Sequence, residues 1–195
     1  MLRVLATALV LQLVPAPKPG PPGPEGVPIP KASVLAPPQA LKLNQSIDGI
    51  KCGRTEQFLF HIHAHLTLFV KGKARAVPFG IGIGPPLYGV RTAQGPFVSQ
   101  GTCFAWLHTH AEDGIVHIES PVQRTYTLGE FFDVWGQPLS ARRLGPAKGP
   151  VTAFYDGKVW KGNPRSIPLK KHAQIQLDEG SPVVAPEHIS SFHGL

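Results

Sequence analysis

Phe58-Leu-Phe-His-Ile-His-Ala-His-Leu-Thr-Leu-Phe-Val70 decides how this chain is read. The run is rich in aromatic and aliphatic β-formers and alternates over its length, which is the pattern of a strand. Successive side chains of a strand point to opposite faces. His61, His63 and His65 therefore share one face, with neighbours roughly 6–7 Å apart, and Ile62 and Ala64 occupy the other. Lys71-Gly-Lys73 reads as a turn and Ala74–Phe79 as a returning strand. Gly80-Ile-Gly-Ile-Gly-Pro-Pro86 then opens a long loop.

A second segment carries the same signature: Leu107-His-Thr-His-Ala-Glu-Asp-Gly-Ile-Val-His-Ile-Glu119. Cys103–His110 and Ile115–Glu119 read as two strands joined by Ala111-Glu-Asp-Gly114, a four-residue connection with Gly last. That register sets His110 against Ile115, Thr109 against Val116 and His108 opposite His117, with Glu119 following on the same face. Cross-strand partners have Cβ atoms about 4.5–5.5 Å apart, so the side chains would converge on a metal-sized space.

Further along, Thr127-Leu-Gly-Glu130 has capping-box spacing and Gly136 supplies a stop, which predicts one short helix over 128–135. Leu128, Phe131, Phe132 and Trp135 form its apolar face. Val151–Tyr155 and Lys158–Lys161 flank an Asp156-Gly157 turn, and Ala173–Leu177 reads as a last strand. Residues 66–79 and 151–168 repeat one grammar of strand, turn, strand and Pro, which either a weak internal repeat or ordinary hairpin usage explains. The expected fold is mainly β: an antiparallel sandwich or barrel with one short helix, preceded by a disordered Pro-rich segment.

Composition agrees. The 195 residues suit one domain plus tails, and 42% hydrophobic residues can bury a core. Twenty-two Pro and 21 Gly argue against a helical bundle, and 16% charged residues against a coiled coil. Two Cys exclude a disulfide-dense miniprotein. The net charge is +7, but the basic residues of the second half, including Arg142, Arg143, Lys148 and Lys170, are scattered among Gly and Pro rather than aligned with aromatics. That pattern points away from nucleic acid, and an anionic envelope surface is at least as plausible a neighbour.

Residues 1–16 join Arg3, an apolar run from Val4 to Val14 and Pro15-Ala16, the layout of a short secretory signal. Pro15 stops the run too early for a membrane span of about 20 residues, although a retained anchor is the alternative. Residues 17–40 are expected to be a polyproline-II spacer, with ten prolines in the 24 positions from 15 to 38. The β-rich domain is expected over 41–195. Export permits a disulfide, and Cys52 with Cys103 would close a loop of about 50 residues; the alternative is Cys103 as a metal ligand.

The candidate ligands are His61, His63, His65, His108, His110, His117 and Glu119. A divalent ion takes three or four N or O ligands at about 2.0–2.2 Å from a rigid frame, which an i, i+2 His pair and a cross-strand His provide. Without an ion, clustered imidazoles would repel one another on protonation. Copper or zinc suits the set best, and iron also fits. Blue copper usually has a Cys, two His and an axial Met; Cys103 and His108 offer part of that pattern, but the only Met is Met1, so any axial ligand must differ. Glu56, Glu112 and Asp113 are nearby acids, Phe104 and Trp106 read as core or pocket wall, and His172, His188 and His193 as surface residues.

Ile47-Asp-Gly-Ile-Lys-Cys52, Glu56-Gln57, Phe60-His-Ile-His-Ala-His-Leu66, Leu107-His-Thr-His110, Gly114-Ile-Val-His-Ile-Glu119 and Leu128-Gly-Glu-Phe-Phe-Asp-Val-Trp-Gly136 carry a resemblance. The chain resembles a family of exported bacterial proteins over about 47–180; this resemblance implies export and a shared domain but no particular activity. The His-Thr-His…Asp-Gly-Ile stretch is faintly similar to multicopper oxidases and cupredoxins. Three functions are open on sequence: an exported metal-binding or copper-handling protein, a metal-dependent lyase, hydrolase or oxygenase, and a structural envelope protein.

Overall fold

The computed structural model describes residues 12–195. Its main sheet contains β1 (Phe60–Val70), β2 (Lys73–Arg75), β3 (Leu107–His108), β4 (Ile115–Ser120), β5 (Val151–Tyr155), β6 (Lys158–Val159) and β7 (Gln174–Glu179). The strand order is β6-β5-β7-β1-β4-β3, with β2 paired to the far end of β1. The fold is mainly β with several smaller sheets and a single α-helix, α1 (Leu128–Trp135), among the described residues.

The main sheet is mixed rather than wholly antiparallel, because β7 runs parallel to β1 from Gln174↔His65 to Glu179↔Val70. A hairpin can return a strand only antiparallel to its neighbour. Here β7 forms an antiparallel ladder with β5 and meets β1 after a long excursion through α1. Every residue of β4 is buried, as suits a strand covered on both faces. The main core joins Leu66, Leu68, Val116, Ile118 and Leu177 to α1 residues Leu128, Phe131, Phe132 and Trp135.

α1 occupies the expected residues. Thr127 accepts a hydrogen bond from the Glu130 amide, the Glu130 carboxylate accepts one from the Thr127 amide, and Gly136 closes the helix at φ 79°. The β1–β2 and β5–β6 hairpins both turn on two positive-φ residues, Lys71-Gly72 and Asp156-Gly157. That backbone matches the twist of the flanking strands, so shared turn chemistry explains their likeness.

Three local differences matter for the site. Cys103–His110 is not one strand: Phe104–Ala105 pairs with Ile50–Gly53, whereas β3 pairs with β4. Cys52 and Cys103 form the expected disulfide beside that break. The long loop contains a hairpin, Tyr88–Thr92 with Gly95–Gln100. Finally, residues 17–40 lie along the domain rather than standing off as a free spacer. Val27 is fully buried, Leu35 and Ala36 are nearly so, and the Leu35 amide donates to the Ala76 carbonyl. Apolar side chains and edge hydrogen bonds thus anchor a segment whose prolines had already reduced its chain entropy.

Residues 1–11 of the expected signal segment lie outside the described residues. Its end, Leu13–Val14, pairs in parallel with Val183–Val184. Among the described residues, no helix is long and apolar enough to cross a membrane.

Candidate metal centre

The ladder between β1 and β4 places Glu119 opposite His61, His117 opposite His63 and Ile115 opposite His65. On the other edge of β4, His108 lies opposite His117, the pairing read from the four-residue connection. Thus imidazoles from three neighbouring strands meet one carboxylate on one face of the sheet. Two overlapping groups result: His61, His63, His117 and Glu119, and His108, His110, His117 and Glu119.

A glycine loop sets the position of β3. Gly82 (φ 73°) passes so close that a β-carbon there would lie 2.2 Å from the Leu107 carbonyl oxygen and 2.9 Å from His108 Cβ. The Ala105 amide donates to the Gly82 carbonyl, and the Thr109 amide to that of Ile81. Beyond β3, the Val98 amide donates to the His110 carbonyl, and Phe97 stacks on the His110 ring at 4.9 Å between centroids.

These contacts fix proton positions. A carbonyl oxygen can only accept, so the ring nitrogen facing it must carry the hydrogen. His108 Nδ1 faces the Ala105 carbonyl at 2.9 Å, and His110 Nδ1 faces that of Val98. Burial, then the neighbouring imidazoles, holds the His108 pKa well below its ordinary value; burial and His117 lower that of His110. Both rings are therefore neutral Nδ1–H tautomers with bare Nε2 lone pairs, and those two Nε2 atoms lie 3.1 Å apart. Two facing lone pairs repel unless a cation lies between them.

In the other group, His61 Nε2, His63 Nε2, His117 Nδ1 and Glu119 Oε1 form a closed ring in which each consecutive pair is 3.1 Å apart. Four ligands tetrahedrally placed about an ion at about 2.0–2.1 Å would be roughly 3.3 Å from one another, so the ring has the span of a coordination shell. Burial, then the neighbouring imidazoles, lowers the His63 pKa to about 3.

His117 behaves in the opposite way. Burial disfavours its charge, but its contacts with Glu119 and Glu25 outweigh burial and raise its pKa to about 9. Its Nε2 donates to Glu25 Oε1 at 2.7 Å. A metal ion held by His117 Nδ1 would take the place of the proton on that nitrogen beside Glu119, while Nε2 would keep its hydrogen on Glu25. Glu25 Oε2 and Glu119 Oε2 are buried with no hydrogen-bond partner among the described residues. Glu25 lies against the buried Asp113 carboxyl, whose pKa burial and then Glu25 raise to about 7, so a proton there can serve Glu25. The Glu119 oxygen faces only the imidazole cluster's demand for a cation.

Glu25 was not anticipated. It comes from the Pro-Gly stretch, where it is the only acidic residue among the first 47 positions, and that isolation was the signal available in sequence. Glu56, considered as a nearby acid, lies 3.5 Å from His110 Nε2; burial, then Glu119, raises its pKa. Over the cluster opens a cleft of about 790 Å³, lined in part by Phe58, Phe97, Lys171 and His193. Phe104 is buried with its ring 5.8 Å from His108, which makes it a wall of the site.

Two candidates fall away. Cys103 is bound in the disulfide, so it offers no thiolate and a blue-copper set cannot form. His65 belongs to neither group. Its strand face is correct, but its cross-strand partner is Ile115, and its Nε2 lies 3.0 Å from the Asp113 carbonyl oxygen instead.

Burial lowers the His65 pKa from 6.5 to about 4. The unfolded chain therefore takes up this proton first. The stability tied to His65 is full above about pH 6.5 and is lost as pH falls toward 4, by roughly 3 kcal/mol over that span. In the metal-free protein, His65→Gln should flatten the pH dependence of denaturant unfolding between pH 6.5 and 4 by close to one proton. An unchanged slope would contradict the assignment.

In comparisons with family models, curated proteins and solved structures, none matches this chain.

Proposed function

We propose that this is an exported transition-metal-binding protein that handles copper or zinc through the His cluster. The observation that carries this reading is the pair of Nε2 atoms of His108 and His110, 3.1 Å apart in a buried site with each ring's Nδ1 turned to a backbone carbonyl. The buried Glu119 oxygen with no hydrogen-bond partner among the described residues adds to it. Imidazole with carboxylate suits Zn(II) and type-2 Cu(II), and the burial that keeps most of these imidazoles neutral keeps them competent as ligands. A closed disulfide suits an oxidising compartment and so supports export.

The open cleft favours a second reading, a metal-dependent enzyme. An ion at the cleft floor would keep a coordination position for water or substrate, and Lys171 at the wall could meet an anionic group.

Elemental analysis of the protein purified without a His tag, with His108→Ala beside it, tests the binding reading. Stoichiometric copper or zinc is expected in the wild type and its loss or reduction in the variant. Thermal unfolding of metal-stripped wild type should shift upward on adding Zn(II) or Cu(II), since an ion at 100 times its Kd contributes about 2.7 kcal/mol. No metal in the wild type and no thermal shift would overturn the reading.

A further inference from the structure

We infer that the cluster holds two metal ions together, bridged by the Glu119 carboxylate; this rests on the metal-binding reading above. The donors exceed what one ion can use. Five imidazoles converge with Glu119, and Glu56 and Glu25 stand at the edges, whereas a four-coordinate ion takes four ligands.

The donors also divide by position. One ion fits the ring of His61 Nε2, His63 Nε2, His117 Nδ1 and Glu119 Oε1. This set uses neither of the lone pairs on His108 and His110. Those two carry their own demand for a cation, because their Nδ1 hydrogens are committed to the carbonyls of Ala105 and Val98. A second ion there finds Glu56 Oε1 at 3.5 Å from His110 Nε2.

Glu119 lies between the sets. Its Oε1 is 3.1 Å from His61 Nε2 and 3.9 Å from His108 Nε2, and its Oε2 has no hydrogen-bond partner among the described residues. The same Oε1 thus belongs to the first ring and reaches toward the second set. A carboxylate placed between two donor sets in this way can bridge paired ions, which in two-metal sites stand about 3.5–4 Å apart. Both ions would face the cleft, where a water or an anionic substrate group could contact the pair.

The test is a titration of the metal-stripped full chain with Cu(II), read by elemental analysis after gel filtration and by electron paramagnetic resonance. Two ions per chain are expected in the wild type. His61→Ala and His110→Ala should each retain one, with His61 the safer substitution because its side chain is 38% exposed. The spectrum of the two-ion form should show magnetic coupling that disappears in both variants. Circular dichroism confirms that each variant is folded, and His61→Gln and His110→Gln serve where alanine is not tolerated. One ion per chain, lost in both variants, would overturn the two-ion inference and leave single-metal binding standing. Two ions without coupling would overturn the bridge. No bound copper would overturn the two-ion inference, and the reading beneath it would fall as well only if neither Zn(II) nor Cu(II) shifted thermal unfolding.

Discussion

Replacing His117 by alanine should remove stoichiometric metal and destabilise the metal-free fold in the same protein. His117 is the one imidazole common to both ligand groups, and it stands between Glu25 and Glu119. Metal affinity should fall by more than the roughly 10–100-fold that loss of an outer partner costs. In the metal-free state the substitution leaves the carboxylates of Glu25 and Glu119 without the imidazole that contacts one through each ring nitrogen. Removing one member of a buried charge network costs about 3–5 kcal/mol. The pH dependence identifies the cause. The His117 pKa is raised from 6.5 to about 9, so its contribution is fully present below about pH 6.5 and is lost as pH rises through 9. Denaturant unfolding of stripped wild type and His117→Ala should therefore show a large deficit at pH 6.5 that narrows by pH 9.5. A variant that keeps full metal occupancy, or a deficit independent of pH, would refute this account.

The second large effect is expected from Cys52→Ser combined with Cys103→Ser. The two residues are 51 positions apart, and a closed loop of that length stabilises by about 4 kcal/mol in the chain-entropy treatment. For a chain of this size that corresponds to a fall in Tm of about 8–16 °C. Metal affinity should fall too, because the disulfide ties Ile50–Gly53 to the strand piece before β3, and Gly84 donates its amide to the Cys103 carbonyl. Scanning calorimetry and a Zn(II) titration on the double variant measure both effects. Unchanged stability together with unchanged affinity would show that the bridge only decorates the site.

Sequence pattern reached the centre of the site because its geometry is local. The register read from the 111–114 connection holds at His108, which faces His117, although Thr109 bonds Gly80 and Ile81 instead of Val116. The two-residue period of β1 puts His61 and His63 beside that pair. The capping box of α1 is equally local, since the side chains of Thr127 and Glu130 accept from each other's backbone amides across three positions. His65 shows where the same period misleads: it names a face of a strand but not the cross-strand neighbour. The hairpin at 88–100 was hidden because Tyr88, Val90 and neighbouring residues are largely exposed, so little alternation of buried and exposed positions marks it.

The sequence by itself determined the mainly β class, the single helix and most residues of the His cluster, because alternation, turn residues and caps act over a few positions. Tertiary structure alone decided that β7 lies parallel to β1, that Glu25 reaches back from the proline-rich stretch to His117, and that His110 is aimed by the Val98 carbonyl. Those contacts join residues 12 to 109 positions apart. No local period encodes such a contact; the packing of the whole chain must close before a carbonyl or a carboxylate arrives beside the ring it orients.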